Sequence, residues 1–170
     1  MIVADYIFSE VAKYVDTVFF LPGGGSMYLV DALGRSGIKP VTALHEQGAG
    51  LMAVGYAMLH GLGVCLVTSG PGSTNAITAC AAAWMDSIPV LFISGQARSN
   101  TLIGHTKLRT RGMQEVDIVK LVAPITKGFC QIAYKRQIEW ILPKLITDCM
   151  TGRRGPCWLS VPLDIQAEEL

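Results

Sequence analysis

Short, continuous apolar runs alternate along the chain with segments of helical periodicity. Residues 18–21, 40–44, 63–69, 89–94, 125–132 and 157–161 are the apolar runs. They show little of the in–out alternation of a half-wet sheet, so they read as strands buried on both faces. The segments between them suit helices. Residues 4–14 place Ile7, Val11 and Tyr14 on one side, and residues 27–35 end just before Gly37, a natural stop. Residues 46–60, an alanine-rich 73–86, a short 117–122 and 136–150 complete the set, with Pro143 predicting a kink in the last. Ser26 is placed to cap the helix that follows it. Residues 162–166 read as an extended arm leaving the domain. This alternation predicts a doubly wound α/β domain: a parallel sheet of about six strands with helices on both faces. One stretch breaks the pattern. Residues 96–113 are long and polar, with Arg98, Lys107, Arg109 and Arg111, and loops of that length in a domain are generally functional or disordered.

Ligands of such sheets bind beyond the carboxyl ends of the strands. Four marked segments fall there: residues 22–26 (Pro-Gly-Gly-Gly-Ser), His45-Glu46, residues 69–72 (Ser-Gly-Pro-Gly) and Gly95-Gln96. Glu46 stands where an apolar strand meets a helix containing Gly48, Gly50 and Gly55. Each interior glycine costs about 1 kcal/mol relative to alanine, so packing must recover roughly 3 kcal/mol. Gly48, Ala49, Gly50, Ala53, Gly55 and Ala57 leave that helix thin enough for another backbone to come close. A carboxylate at this junction is partly desolvated, which disfavours its charged form. The small residues of segments 46–60 and 71–86 also predict self-association, with Gly50 and Ala53 in the contact.

Composition sharpens the picture. The 170 residues suffice for one domain with a core. Apolar residues make up 51 % and charged residues 16 %, against about 25 % charged in an average globular protein. That deficit predicts apolar surface buried against other domains or subunits. A net charge of +1 gives no footprint for nucleic acid or a membrane surface. No apolar run approaches the roughly 18 residues of a spanning helix. The first six residues carry no basic leader, and the five cysteines form no CxxC pair. The expectation is a cytoplasmic protein with reduced thiols.

Three familiar motifs fail or fit only in part. His45-Glu46 would open a zinc helix only with histidine at 49, where Ala49 stands. Gly23 and Gly25 with Glu46 some 20 residues on resemble a dinucleotide fingerprint, but its third glycine falls on Tyr28. No phosphate loop ending in Gly-Lys-Ser or Gly-Lys-Thr is present. Gly70-Pro71-Gly72-Ser73-Thr74-Asn75 is compatible with a plain strand-to-helix turn. It gains meaning beside Glu46, because Asn75 lies one turn into the helix and can face the same crevice.

Together these stretches resemble the pyrimidine-binding N-terminal domain of thiamin-diphosphate enzymes of the acetolactate synthase type. The residues that carry the resemblance are Leu21-Pro22-Gly23-Gly24, His45-Glu46-Gln47-Gly48-Ala49, Thr68-Ser69-Gly70-Pro71-Gly72-Ser73-Thr74-Asn75, Pro89-Val90, Ser94-Gly95-Gln96, Gln114-Glu115-Val116-Asp117, Gly155-Pro156 and Pro162-Leu163-Asp164-Ile165-Gln166. They span nearly the whole chain in the family's order.

The resemblance implies that residues 1–170 form one pyrimidine-binding domain, with central and diphosphate-binding domains absent from this chain. It implies that Glu46 hydrogen-bonds N1′ of the cofactor's aminopyrimidine, favouring the imino tautomer whose nitrogen removes the thiazolium C2 proton. By the same carry-over Gly70, Pro71 and Asn75 bind the cofactor with Glu46, Gln114 is catalytic beside Glu46, and Gly24 and Gly25 face the substrate. The implied cofactors are thiamin diphosphate and Mg2+, the latter held by a Gly-Asp-Gly motif that this sequence lacks. The implied partners are a 2-oxo acid, which is decarboxylated with transfer of the acyl fragment, and further copies in a dimer or tetramer. Two features differ from the family pattern: Met113 stands in the place of a phenylalanine, and the loop 97–113 is longer and more basic. The residues also admit a complete small subunit of a two-chain thiamin-diphosphate decarboxylase, a Rossmann-like nucleotide module built on Gly23–Gly25 and Glu46, or a non-catalytic regulatory domain.

Overall fold

Six strands, β1 (Thr17–Phe20), β2 (Lys39–Thr42), β3 (Gly63–Val67), β4 (Val90–Gln96), β5 (Gly128–Gln131) and β6 (Cys157–Pro162), form one sheet in a computed structural model that describes residues 1–104 and 106–170. Every named pairing is parallel, and the order is β2-β1-β3-β4-β6-β5. The chain leaves β1 for β2 on one side and returns to place β3 on the other. The switch point, where a doubly wound sheet opens a crevice, therefore lies between β1 and β3.

Among the described residues eight α-helices cover the sheet: α1 (Val3–Val11), α2 (Met27–Arg35), α3 (Glu46–His60), α4 (Pro71–Asn75), α5 (Ile77–Met85), α6 (Ile118–Val122), α7 (Ile138–Met150) and α8 (Leu163–Gln166). Alternation along the strands divides the core in two. Val64, Leu66, Leu91, Ile93 and Leu159 meet α1, α2 and α7, while Cys65, Val67, Phe92 and Trp158 meet α3, α5 and α6. Trp158 is fully buried, lies parallel to Phe92 at 5.0 Å between centroids, and donates its indole N–H to Ser94 Oγ at 3.0 Å. Such a pair is worth about 1 kcal/mol beyond its buried area, and the hydroxyl removes the cost of a buried donor.

The doubly wound parallel sheet agrees with the pattern of the sequence, and α2 and α3 occupy the residues expected of them. Several local expectations are corrected. Residues 40–44 do not form a buried strand: β2 is an edge, three of its four residues are exposed, and Leu44 is fully exposed. Pro40 suits an edge because it lacks an N–H for a second neighbour. The alanine-rich helix begins at Pro71 and breaks at Ala76, whose N–H turns to Ser73 three residues back at 3.1 Å. Ser26 does not cap α2; its hydroxyl donates to Gly23 O at 3.2 Å. Residues 162–166 are not an extended arm, since α8 folds back and buries Ile165 and Gln166. Helix α7 does contain Pro143, where the sequence placed it.

The glycines of α3 also behave differently from one another. A Cβ on Gly50 would lie 2.5 Å from Ala79 Cβ, so this glycine lets α5 approach, whereas one on Gly48 would make only an ordinary contact at 3.9 Å with Ala43 and one on Gly55 would meet nothing within 4 Å. Gly50 and Ala53 are buried within the domain, so they are not available for a contact between copies. The outward apolar side chains of this layer are instead Leu51, Met58, Leu59, Trp84 and Met85.

Candidate functional site

Four loops meet at the carboxyl ends of β1 to β4, and glycines let them pack. After β1 the chain makes a single 3₁₀ turn, Gly24–Ser26. Side chains on its neighbours would collide: a Cβ on Gly23 would lie 2.5 Å from Thr68, one on Gly25 2.3 Å from Ser69 Oγ, and one on Gly95 2.0 Å from the Gly25 carbonyl. The turn is also held by hydrogen bonds. Gly25 N donates to Thr68 Oγ1 at 3.0 Å, and Gln166 Nε2 donates to the carbonyls of Gly25 at 2.8 Å and Val161 at 2.9 Å. These glycines therefore serve close packing against the loop after β3. Gly24 is the open one: a Cβ there would meet nothing within 4 Å.

Glu46 is the first residue of α3 and is only 9 % exposed. Its Oε2 accepts a hydrogen bond from Asn75 Nδ2 at 3.0 Å, and its Oε1 lies 3.2 Å from where a Gly72 side chain would begin. No other hydrogen bond to this carboxylate forms among the described residues. The break after α4 matters here, because Asn75 is the last residue before it and its amide reaches back to Glu46. The site thus holds an oriented, largely desolvated carboxylate with Oε1 left to accept from a ligand.

Beside it lies a cleft of about 360 Å³, lined by Gly24, Gly25, Ser69, Gln96, Arg98 and Gln114 among others. Gly70 adopts φ +56°, a left-handed conformation that glycine takes without strain, and it presses its Cα face on the Gln114 carbonyl. Gln114 itself has φ +53°, uncommon for a residue with a side chain. The turn from Ser69 to Gly72 separates the cleft from the carboxylate: Gly70 touches Gln114 on one side, and Gly72 approaches Glu46 on the other. Glu46 and Asn75 do not line the cleft, and Pro71 is exposed at the start of α4. The structure therefore unites Glu46 with Asn75, and Gly24 and Gly25 with Gln114.

Residues that the sequence marked without assigning them a role in the site complete it. Gln96 Nε2 donates to Val116 O at 2.8 Å and Gln131 Oε1 at 3.2 Å, fixing the segment that carries Gln114. The Glu115 carboxylate accepts from the backbone N–H groups of Ile103 at 2.6 Å, Gly112 at 2.9 Å and Arg111 at 3.2 Å, and so folds the polar loop on itself. Residue 105 of that loop lies outside the described residues. Asp164 accepts from the Ser99 amide at 2.9 Å and from the Ser99 hydroxyl. Burial pushes the Asp164 carboxyl up, but the Ser99 bonds and nearby backbone amides together hold it below the ordinary range. Met113 is highly exposed at the rim of the cleft. Arg98 brings a cation to the lining. The position of Gln96 and Arg98 after a strand end was a legible signal; the roles of Asp164 and Gln166 were not, because they depend on α8 folding back.

All five cysteines are free, and four are buried. Burial pushes the thiols of Cys65 and Cys80 well up, so they behave as small core residues. No group of three or more His, Cys, Asp or Glu residues able to hold a metal ion comes together among the described residues. Nor is any described helix long and apolar enough to cross a membrane.

Comparison with known proteins agrees with this fold. The family described as thiamine pyrophosphate enzyme, N-terminal TPP binding domain, matches residues 1–121. The large subunit of acetolactate synthase isozyme 2 from Escherichia coli K12 is 42 % identical over 156 residues, covering 91 % of this chain and 27 % of that protein. The acetolactate synthase large subunits of Corynebacterium glutamicum and Lactococcus lactis are each 40 % identical, covering 91 % and 92 % of this chain and 24 % and 26 % of their own lengths. The chain thus spans about a quarter of the relatives it matches. The chain belongs to the family of thiamin-diphosphate enzyme N-terminal domains.

Proposed function

We propose that this chain is the pyrimidine-binding domain of a longer, acetolactate synthase-like enzyme that decarboxylates a 2-oxo acid and transfers the acyl fragment. The observation that carries this reading is the Glu46 carboxylate, oriented by Asn75 at the switch point of the sheet and left with a free acceptor oxygen. Thiamin diphosphate, when bound, supplies the thiazolium carbon that attacks the 2-oxo acid and stores its electrons. The residues of this chain fit the aminopyrimidine half of that cofactor. Glu46 Oε1 holds or returns a proton at ring nitrogen N1′, and Asn75 fixes the rotamer that presents it. Gly70 and Pro71 would form the turn beside the ring, and the missing side chain of Gly72 leaves room next to Glu46 Oε1.

Gly24, Gly25 and Gln114 face the reacting acid in the adjoining cleft, and Arg98 offers a partner for its carboxylate. The diphosphate and Mg2+ would be held by a domain outside these residues. The outward apolar side chains of α3, Leu51, Met58 and Leu59, support assembly with a second copy or another domain of the longer enzyme. Five free thiols support a reducing, cytoplasmic location.

The test is Glu46→Gln in the longer enzyme, followed by hydrogen–deuterium exchange at cofactor C2. General acid–base contributions run about 10²–10⁴-fold, so exchange should slow by that factor, equal to roughly 3–5 kcal/mol of barrier. Exchange within about threefold of wild type, under ~1 kcal/mol, would reduce Glu46 to a structural carboxylate. The 170-residue chain alone, supplied with thiamin diphosphate and Mg2+, should not turn over a 2-oxo acid; turnover would overturn the assignment of the diphosphate to another domain.

A further inference from the structure

At the opposite end of the sheet, before β5 and β6 begin, lies a second cleft of about 360 Å³, lined by Trp84, Met85, Lys127, Arg153 and Arg154. We propose that it binds an organic phosphate carrying a planar ring, a ligand of the nucleoside diphosphate class. Three cations line it and no carboxylate does. Neither arginine forms an ion pair among the described residues. Like charges gathered in a cleft repel one another, and an anion of two or more charges relieves that cost.

The three cations are not equivalent. Lys127 Nζ donates to the carbonyls of Asp148 and Thr151, so the end of α7 accounts for its position. Arg154 makes no hydrogen bond among the described residues. Arg153 uses only Nε, which donates to Ser87 Oγ at 2.9 Å and leaves the terminal nitrogens of its guanidinium for a ligand.

Ser87 shows that this orientation is built. It closes α5 in a left-handed conformation, φ 57°, with its N–H on Trp84 O at 3.3 Å and the next N–H on Ala83 O at 2.8 Å. Glycine is the usual residue at such a cap, because a side chain there is strained. The serine hydroxyl is what a glycine would lack, and it orients Arg153. Gly155 keeps the floor low: a Cβ there would lie 3.2 Å from the Lys127 side chain and 3.8 Å from the Trp84 ring. Trp84 supplies an indole wall, 40 % exposed, on which a planar ring can stack. A phosphate chain on a guanidinium pair next to a stacking wall is the recognition chemistry of a nucleotide rather than of a bare anion.

The test uses the 170-residue chain, with ADP and inorganic phosphate titrated separately by calorimetry and followed through the Trp84 indole proton by NMR, assigned with Trp84→Phe. ADP should bind once per chain, shift that proton, and bind at least tenfold tighter than phosphate. Arg154→Gln and Arg153→Gln should each weaken ADP at least tenfold, and Trp84→Leu should erase the preference for ADP over phosphate. Glu46→Gln, at the far end of the sheet, should leave ADP binding unchanged, which separates this site from the proposed cofactor site. The proposal is overturned if ADP does not bind, if ADP and phosphate bind equally to the unaltered chain, if Arg154→Gln has no effect, or if Glu46→Gln abolishes ADP binding.

Discussion

Two glycines five residues apart on α3 should respond differently to the same substitution. Alanine for glycine in a helix interior gains about 1 kcal/mol from propensity. At Gly55 nothing lies within 4 Å of the added methyl, so the gain should appear nearly whole. At Gly50 the methyl would lie 2.5 Å from Ala79 Cβ and 3.3 Å from the Phe92 ring. Optimal carbon–carbon contact is about 3.5–4.0 Å, so α3 and α5 must separate by about 1 Å in a layer whose contact residues are fully buried alanines. Overpacking of this kind costs about 1–3 kcal/mol. Gly50→Ala should therefore be neutral to about 2 kcal/mol destabilised, and Gly55→Ala stabilised by up to about 1 kcal/mol. Urea unfolding measures both, provided the m-values agree with wild type. Equal stabilisation by the two variants would refute the close approach of α5 to α3, and equal destabilisation would refute the open surroundings of Gly55.

Removing the Glu115 carboxylate should loosen the polar loop without unfolding the sheet. In Glu115→Ala, amide exchange at Ile103 and Gly112 should quicken at least tenfold while β3 and β4 stay protected, and unchanged exchange would show that the carboxylate does not organise the loop. The Asp164–Ser99 tie should depend on pH in a defined direction. The folded carboxyl is held below its unfolded value of about 4, so the stability it contributes is present above that value and is lost as pH falls through the lower folded value. The stability difference between wild type and Asp164→Asn should then be full at pH 7 and shrink below about pH 4; a difference that grew on acidification would contradict the assignment.

The class of fold was legible because continuous apolar runs alternating with helical periodicity admit few arrangements other than a covered parallel sheet. Glu46 was legible as well, because a lone carboxylate between a strand and a helix at a carboxyl end of the sheet marks a crevice whatever the details. Pro40 was the one local mark of an edge strand, and the apolar run around it masked that signal. Residues 40–44 look as apolar as a central strand, and only the order β2-β1-β3 leaves them one neighbour. Local sequence could not separate Gly50 from Gly55, since helical spacing does not reveal which side meets α5.

The contacts that shape the site join residues far apart in the chain: Glu46 with Asn75, Gly25 with Gln166, and Ser99 with Asp164. Composition and periodicity are properties of neighbours along the chain. Hydrogen bonds of this kind exist only once the crossovers have brought the strand ends together, so the carboxylate was written in the sequence and its orientation was decided by the tertiary structure.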